Sequence, residues 1–268
     1  MTSWTSDRVR DAAAEWVWVP PGASEARTPE YHLIAYPDAW AVPTQVRWCR
    51  STRPAKAVVD EVVAIAAAWS RPEVSFWAGD HTSPPDLADH LRARGAVQVE
   101  TVELLALELD DAALHAAGLD AVERNGSLLC GGVEVREVRD AATLQDADLV
   151  NREVWGGEPP DEDLDVRLDR LTGAGETRVV AYLDGRPVAT AGAALAGEVA
   201  RLWGGATRAA HRGRGAYRAT LAARLRLAVE RGATLGMVRA VTTTSAPILH
   251  SLGFTGHGLE DRLVVSTS

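Results

Sequence analysis

Residues 211–218, which read HRGRGAYR, have the residue types and spacing of an anion-binding loop. Gly213 and Gly215 lack a Cβ, so the backbone can approach a ligand closely and turn its N–H groups toward it. The loop follows a β-rich segment and opens a long amphipathic pattern. The N-terminus of the predicted helix adds about half a unit of positive charge at the same point. Together with the arginines of the run, this predicts a site for phosphate or pyrophosphate.

A meander of three predicted strands leads into this loop. Asp184-Gly185 and Ala196-Gly197 separate the strands and are typical of tight hairpin turns. Before the meander, the pattern predicts a strand at 133–138 and helices at 141–154 and 161–171. After the loop, it predicts a helix ending at Gly232, a strand at 236–241, a short helix at 245–252 and a strand at 259–265.

The first half of the chain repeats the end of the second half in degenerate form. It reads as a helix at 55–69, a strand at 73–77, a short helix at 86–94 and a strand at 97–109. We interpret this as an internal duplication and predict two domains, residues 1–125 and 126–268. In place of the loop, the first copy has residues 49–54, which contain no glycine. Only the second half is therefore expected to bind the anion.

Composition limits the classes of function. The formal net charge of −9 argues against a partner that is nucleic acid or an anionic membrane, because such proteins carry basic surfaces. Cys49 and Cys130 are the two cysteines, and their separation excludes a disulfide framework or a cysteine-based zinc site. The seven histidines show no metal-ligand spacing, so no metal is expected. The N-terminus lacks the apolar core of a signal peptide, which predicts a cytoplasmic protein.

Two common phosphate loops do not fit this sequence. A P-loop requires Gly-Lys-Ser/Thr after the glycines, and a dinucleotide fingerprint requires a third glycine where Arg218 stands. The loop instead resembles that of the GNAT superfamily of acyl-CoA-dependent N-acyltransferases, whose signature R/Q-x-x-G-x-G/A is filled by residues 212–217. The closing Leu252-Gly253-Phe254 also resembles the family. The resemblance covers about residues 133–265 and, in degenerate form, residues 31–109.

The resemblance implies a fold, a co-substrate and a set of binding residues. The fold class would be α/β (α+β), with tandem GNAT-like domains and a mixed, mostly antiparallel sheet flanked by helices. The co-substrate would be acetyl-CoA, with pantetheine along the strand that ends at Thr207. The residues expected to bind it are Ala206, Thr207, Arg208, Arg212, Gly213, Arg214, Gly215, Ala216, Tyr217 and Arg218.

Two positions depart from the family pattern. Tyr217 occupies the final G/A position, where its amide can still donate if the ring turns toward the core. Leu249 occupies the position where the family often has a tyrosine general acid.

Acyl transfer to an amine also requires a proton acceptor and an acceptor pocket. Glu198, at the start of the last meander strand, is the first candidate base, and its alternative role is an exposed carboxylate beside a turn. His211 and His250 are further proton carriers or simply surface residues. Trp155 and Glu158 lie where the family shapes its acceptor pocket and would suit a cationic amine. Alternatively, the acids near Glu158 only complement a helix dipole.

The leading hypothesis from sequence is an N-acetyltransferase that moves the acetyl group of acetyl-CoA onto a primary amine of a small molecule by direct attack. The alternatives are a non-catalytic CoA-binding or structural module and, third, a module for another nucleotide. The expected partner is a small-molecule amine, with no nucleic acid and no membrane, and the expected assembly is a monomer or homodimer.

Overall fold

The computed structural model describes residues 3–15, 17–37, 42–156, 162–173 and 175–268. Its helices are α1 Ser6–Glu15, α2 Ala55–Ala68, α3 Leu87–Ala93, α4 Asp111–Ala116, α5 Ala141–Trp155, α6 Leu164–Gly173, α7 Ala216–Glu230 and α8 Ser245–Ser251. Its strands are β1 Ser24–Arg27, β2 Tyr31–Ala35, β3 Thr44–Cys49, β4 Glu73–Gly79, β5 Val97–Glu108, β6 Val122–Arg124, β7 Ser127–Cys130, β8 Val133–Glu137, β9 Glu176–Leu183, β10 Arg186–Ala196, β11 Val199–Thr207, β12 Leu235–Val241 and β13 Thr255–Ser266.

The chain divides into two compact units that interleave in sequence. Unit 1 contains residues 1–105, 239–251 and 255–268, and unit 2 contains residues 106–238 and 252–254. This division differs from the predicted boundary at residue 125. The physical reason is that the second part of the C-terminal strand β13 pairs with all of β4 in unit 1, from Glu260 opposite Gly79 to Ser266 opposite Glu73.

In unit 1 the strands follow the order β1-β2-β3-β4-β13-β5. Helix α2 is rich in valine and alanine, and Val58, Val59 and Val62 are fully buried in the core of this unit. Burying each such side chain contributes about 1.5–3 kcal/mol. Strands β3 and β4 are parallel but pair only at Gln45–Ser75 and Val46–Phe76.

In unit 2 the strands follow the order β12-β11-β10-β9-β8-β7-β6. The predicted meander is present as β9, β10 and β11, joined by turns in which Asp184, Gly185 and Gly197 have positive φ. Helix α5 begins with a capping box, in which the Asp140 carboxylate accepts from the Thr143 amide at 2.8 Å. The hairpin of β6 and β7 around residues 125–126 is an element that the sequence analysis did not predict.

The two halves share an order of elements. A parallel strand pair flanks a helix in each, as β3-α2-β4 and β11-α7-β12, and a short helix and a long strand follow each pair. The predicted repeat is therefore present in the structure. The mixed α/β fold class is confirmed.

Candidate acyl-CoA site

The glycine loop connects β11 to α7 through one short 3-10 turn. The amide of Arg208 donates to the Val188 carbonyl at 3.0 Å, which anchors the start of the loop on β10. The turn covers Ala209–His211, and the chain then passes through Gly213 with φ +73° and Gly215 with φ +83°. Both values lie in the left-handed region that favours glycine. Helix α7 begins directly afterwards at Ala216.

The main-chain amides of this loop remain available. The first amide of α7 with a carbonyl acceptor is that of Ala219, which donates to Gly215 at 2.9 Å. Within the described parts of the chain, no carbonyl accepts from the amides of residues 213–218. Gly215 is the N-cap residue of α7, and it has no side chain that could accept a hydrogen bond from these amides. Consecutive free amides at a helix N-terminus bind an anion, and the amides of residues 213–218 are termed the nest.

The arginines of the region have different roles. Arg212 and Arg214 are exposed, and Arg214 forms a long 3.7 Å ion pair with Asp184. The Arg208 side chain lies 3.0 Å from the Glu153 carboxylate. Arg218 points elsewhere, because its guanidinium donates to the carbonyls of residues 117 and 118 at the end of α4. Arg218 can therefore offer the anion its amide, while its side chain is already bonded.

Strand β11 carries a bulge immediately before the loop. Trp203 pairs with Gly192 and Ala206 pairs with Thr190, so Gly204 and Gly205 together oppose a single residue of β10. Gly204 has φ +60°, which permits this extra residue without strain. A bulge leaves main-chain groups of the strand unpaired.

The other edge of β11 is open over the same stretch. Its parallel pairing with β12 ends at Arg201 and Met237, so Leu202 to Thr207 lack a partner on that edge among the described pairings. The buried Thr207 Oγ1 and His211 Nδ1 have no hydrogen-bond partner within the described structure. Buried polar atoms are nearly always bonded, so these two atoms point to a ligand with hydrogen-bonding groups.

Tyr217 packs against the bulge. A Cβ placed on Gly205 would lie 3.4 Å from Cε2 of the tyrosine ring. The side chain is half-buried, and burial raises the pKa of the phenol. The ring therefore turns toward β11, and the Tyr217 amide stays in the first turn of α7 with the other free amides.

The sequence analysis did not identify one buried arginine of α7 beside the bulge. Arg224 is 3% exposed, and its Nη1 donates to the Gly192 carbonyl at 2.8 Å and to the Trp203 carbonyl at 3.4 Å. Its Nε donates to the carbonyl of Thr220 at 3.1 Å. Arg224 follows Tyr217 by two helical turns and therefore lies on the same face of α7, whereas the half-buried Arg226 does not; this spacing is the sequence signal that could have found it.

Glu198, the predicted catalytic base, does not lie at the bulge. It is exposed in the β10–β11 hairpin, and its carboxylate accepts from the Thr234 hydroxyl at 2.8 Å. The six residues from Glu198 to Gly204 span about 20 Å of extended strand. A carboxylate at that end of β11 is too distant to take a proton from an amine near the bulge.

The other predicted residues are dispersed. His250 is bonded to Glu103 at 2.8 Å in unit 1, which supports its alternative role as a surface residue. Trp155, at the end of α5, is 67% exposed, and Glu158 lies outside the described residues. Leu249 is 1% exposed in α8 and has no acidic group. The described residues do not identify a general acid or base.

The corresponding segment of unit 1 has no free nest of amides. The Ser51 amide donates to the Ser83 carbonyl at 3.0 Å, and the Arg53 amide donates to the Ser51 hydroxyl at 3.0 Å. The Arg53 side chain is paired with Glu30 and Glu61. Hydrogen bonds from Ser51 and Arg53 hold the pKa of Glu30 below its usual value, so this carboxylate is ionised and would repel a phosphate.

Among the described residues, no group of three or more His, Cys, Asp or Glu side chains is placed to hold a metal ion. In the same part of the chain, no helix has the length and apolarity needed to cross a bilayer. Cys49 and Cys130 are free and buried, and burial raises the pKa of each thiol to about 11.

Comparison with known families agrees with the geometry of the loop. Residues 140–254 match the model of the Acetyltransferase (GNAT) family. No curated protein matches the sequence. The matched region contains the meander, the bulge, the glycine loop and α7.

Solved structures show the same fold over nearly the whole chain. A GCN5-related N-acetyltransferase from Kribbella flavida superposes with a TM-score of 0.63 at 20% identity, covering 90% of this chain and 89% of that one. A tandem GNAT protein from the clavulanic acid biosynthesis pathway superposes with a TM-score of 0.61 at 15% identity, covering 94% of this chain and 85% of that one. A GCN5-related N-acetyltransferase from Sphaerobacter thermophilus superposes with a TM-score of 0.59 at 14% identity, covering 96% of this chain and 85% of that one.

These findings define the class of the protein. The chain has the fold of tandem GNAT proteins, and residues 140–254 match the model of the GNAT acetyltransferase family. The predicted resemblance is confirmed, and the family implies acyl transfer from acetyl-CoA.

Proposed function

We propose that this protein is an N-acetyltransferase that transfers the acetyl group of acetyl-CoA to the primary amine of a small molecule. The observation that carries the proposal is the row of unbonded amides at residues 213–218, which follows a bulged, open-edged strand. Main-chain amides at a helix N-terminus suit a diphosphate. The open strand edge suits an amide-containing chain such as pantetheine, which can bond to it like an added strand.

The residues present fit the proposed co-substrate. Arg212 and Arg214 are exposed beside the nest and can pair with phosphate oxygens. Thr207 and His211 each have a buried polar atom that lacks a partner among the described residues. A ligand at this point would supply partners to both atoms, and each charge-assisted hydrogen bond would contribute about 1.5–3 kcal/mol.

The chemistry left to the chain is positioning and charge stabilisation. Direct attack by a neutral amine on a thioester needs donors for the carbonyl oxygen and a group or water that accepts the amine proton. The main-chain amides of the bulge at Gly204 and Gly205 are the proposed donors. A water chain is the proposed proton acceptor, since Glu198 lies at the other end of the strand.

One observation favours a second function, a CoA-binding module without catalysis. The position of the family tyrosine is a buried leucine, Leu249, so the usual donor for the leaving thiolate is missing. The two functions differ in turnover but share the nest. Release of free thiol from acetyl-CoA across a panel of amino acids, polyamines and aminoglycosides distinguishes them. Tight binding with no thiol release for any amine would favour the module.

The nest itself is tested with substitutions at Gly215. Gly215→Glu places a carboxylate at the anion site and is expected to lower affinity for CoA at least 100-fold in a calorimetric titration. Gly215→Asn is the matched control, because asparagine tolerates φ +83° and adds no charge. The affinity of this control for CoA should fall by less than about tenfold. Equal affinity in Gly215→Glu and wild type, or tight binding of NAD or ATP in place of CoA, would remove the assignment.

A further inference from the structure

The Arg224 guanidinium occupies an unusual position in unit 2. It is 3% exposed, and no carboxylate among the described residues lies within ion-pair distance of it. Burial lowers its pKa to about 10, so it remains protonated at neutral pH. Burying a cation without an anion costs free energy, and natural cores avoid it unless the charge has a role.

The hydrogen bonds of Arg224 are all to main-chain carbonyls. Two of these carbonyls, on Gly192 and Trp203, belong to the residue pair that closes the bulge on β10 and β11. The third belongs to Thr220, one turn earlier in α7. Arg224 thus links the helix that starts at the glycine loop to the strand distortion beside it.

We propose that Arg224 is a positioning residue that fixes the bulge of β11 so that its free amides face the acyl group of the bound thioester. This inference rests on the proposed function. By bonding the carbonyls of Gly192 and Trp203, the guanidinium keeps the peptide units at Gly204 and Gly205 from relaxing into a regular ladder. Its hydrogen bond to the Trp203 carbonyl also polarises the peptide unit shared with Gly204, which strengthens the Gly204 N–H as a donor.

Arg224 would act on the acyl group of the ligand and not on its diphosphate. The diphosphate would be held by the main-chain amides of residues 213–218, and the hydrogen bonds of Arg224 go to other residues. The interaction of Arg224 with the Tyr217 phenol is electrostatic and does not involve the Tyr217 amide. Loss of Arg224 should therefore weaken binding of acetyl-CoA more than binding of CoA, and it should lower kcat more than it raises KM. A residue that only stabilised the fold would affect both ligands alike.

The variants are Arg224→Gln, which removes the charge, and Arg224→Lys, which keeps the charge but loses the planar fork. The control is Arg226→Gln, on the same helix, where Arg226 is paired with Glu230 and Asp111 at the surface. Circular dichroism checks folding. Three quantities are measured. Calorimetry gives the Kd of acetyl-CoA and of CoA, thiol release gives kcat and KM with the amine selected from the panel, and amide hydrogen exchange reports on residues 203–206.

In Arg224→Gln we expect the ratio of CoA Kd to acetyl-CoA Kd to fall at least fivefold, kcat to fall at least tenfold, and exchange at residues 203–206 to accelerate. Arg224→Lys should recover part of each effect, and Arg226→Gln should match wild type. If wild type binds acetyl-CoA and Arg224→Gln keeps the wild-type ratio and exchange rates, the inference is wrong and the proposed function stands.

If wild type binds neither ligand, the proposed function fails, and the role of Arg224 at the ligand fails with it. Should Arg224→Gln not fold, Arg224→Lys is compared with wild type in the same measurements. An unchanged ratio and unchanged exchange in that variant would overturn the inference.

Discussion

At the scale of single residues, the site uses main-chain groups more than side chains. The proposed ligand would face the amides of residues 213–218 and the bulge at Gly204, and the residue types of the loop serve mainly to leave those amides free. Side chains contribute where a polar atom is buried without a protein partner. Thr207 Oγ1 is the clearest case, since the hydroxyl is buried at the end of β11.

Thr207→Val tests this interpretation. The substitution replaces the hydroxyl by a methyl group of similar size. Because the hydroxyl has no partner among the described residues, its loss should leave the free energy of unfolding unchanged or raise it by about 1 kcal/mol. Affinity for CoA should fall about fivefold or more if the ligand accepts from that hydroxyl.

Thr190→Val on the neighbouring strand is the matched control. The Thr190 hydroxyl donates to the Val179 carbonyl at 2.9 Å, so its loss should cost about 1–2 kcal/mol of stability and leave CoA affinity near the wild-type value. Denaturant unfolding and calorimetry measure both quantities. A Thr207→Val protein that is less stable and binds CoA normally would show that the hydroxyl has a structural partner.

At the scale of elements, α7 has three connections. Its N-terminus forms the glycine loop, Arg218 in its first turn bonds the C-terminus of α4, and Arg224 one and a half turns later bonds the bulge of β11. A cation at the C-terminal carbonyls of a helix complements the helix dipole. The arginines of this helix therefore have distinct physical roles that their spacing alone does not show.

Arg218 and Arg214 are expected to give opposite results. Arg218→Met removes the bonds to the carbonyls of residues 117 and 118 and should cost about 1 kcal/mol of stability, with CoA affinity within twofold of wild type because the amide remains. Arg214→Gln removes an exposed charge beside the nest and should leave stability unchanged while weakening CoA binding about five- to tenfold. Thermal unfolding and calorimetry on both variants decide between these assignments, and a reversed pattern would contradict them.

The elements near the site were predictable because their signals are local. The hairpin turn at residues 184–185, the glycines at 213 and 215 and the period of α7 each depend on residues a few positions apart. The partners of Arg224 have no such local signal, because they lie on β10 and β11 and are brought to it by tertiary contacts. The distance of Glu198 from the bulge, in contrast, follows from the number of strand residues between them.

At the scale of the whole molecule, the chain does not fold as two successive segments. Strand β13 comes last in the sequence but pairs with β4, so unit 1 is complete only when the C-terminal residues are present. The division near residue 125 was inferred from the repeat of elements, and a repeat does not reveal which copy of a strand pairs with which sheet. Glu260, on β13, is the most buried acid of this strand, and it connects β13 to its surroundings within unit 1.

Glu260 predicts how the stability of unit 1 depends on pH. Its side chain is 3% exposed, and its carboxylate lies 2.5 Å from Arg239 Nε and 3.0 Å from His81 Nε2. Burial alone would raise the pKa of Glu260, but Arg239 and His81 more than offset this effect and hold the pKa below its ordinary value of 4.5. A lowered pKa in the folded state gives stability that is fully present above pH 4.5 and is lost as the pH falls below it.

Glu260→Gln is therefore expected to cost about 3–5 kcal/mol at pH 7, because Arg239 loses its buried partner, and the difference from wild type should narrow as the pH falls from 5 to 3. Urea unfolding at several pH values measures this difference. Glu100→Gln, which removes a part-exposed pair with Arg262 in the same unit, should cost less than about 1 kcal/mol at every pH. A gap between wild type and Glu260→Gln that stays constant down to pH 3 would mean that folding does not lower the pKa of Glu260, and the role assigned to its pairing with Arg239 would then be wrong.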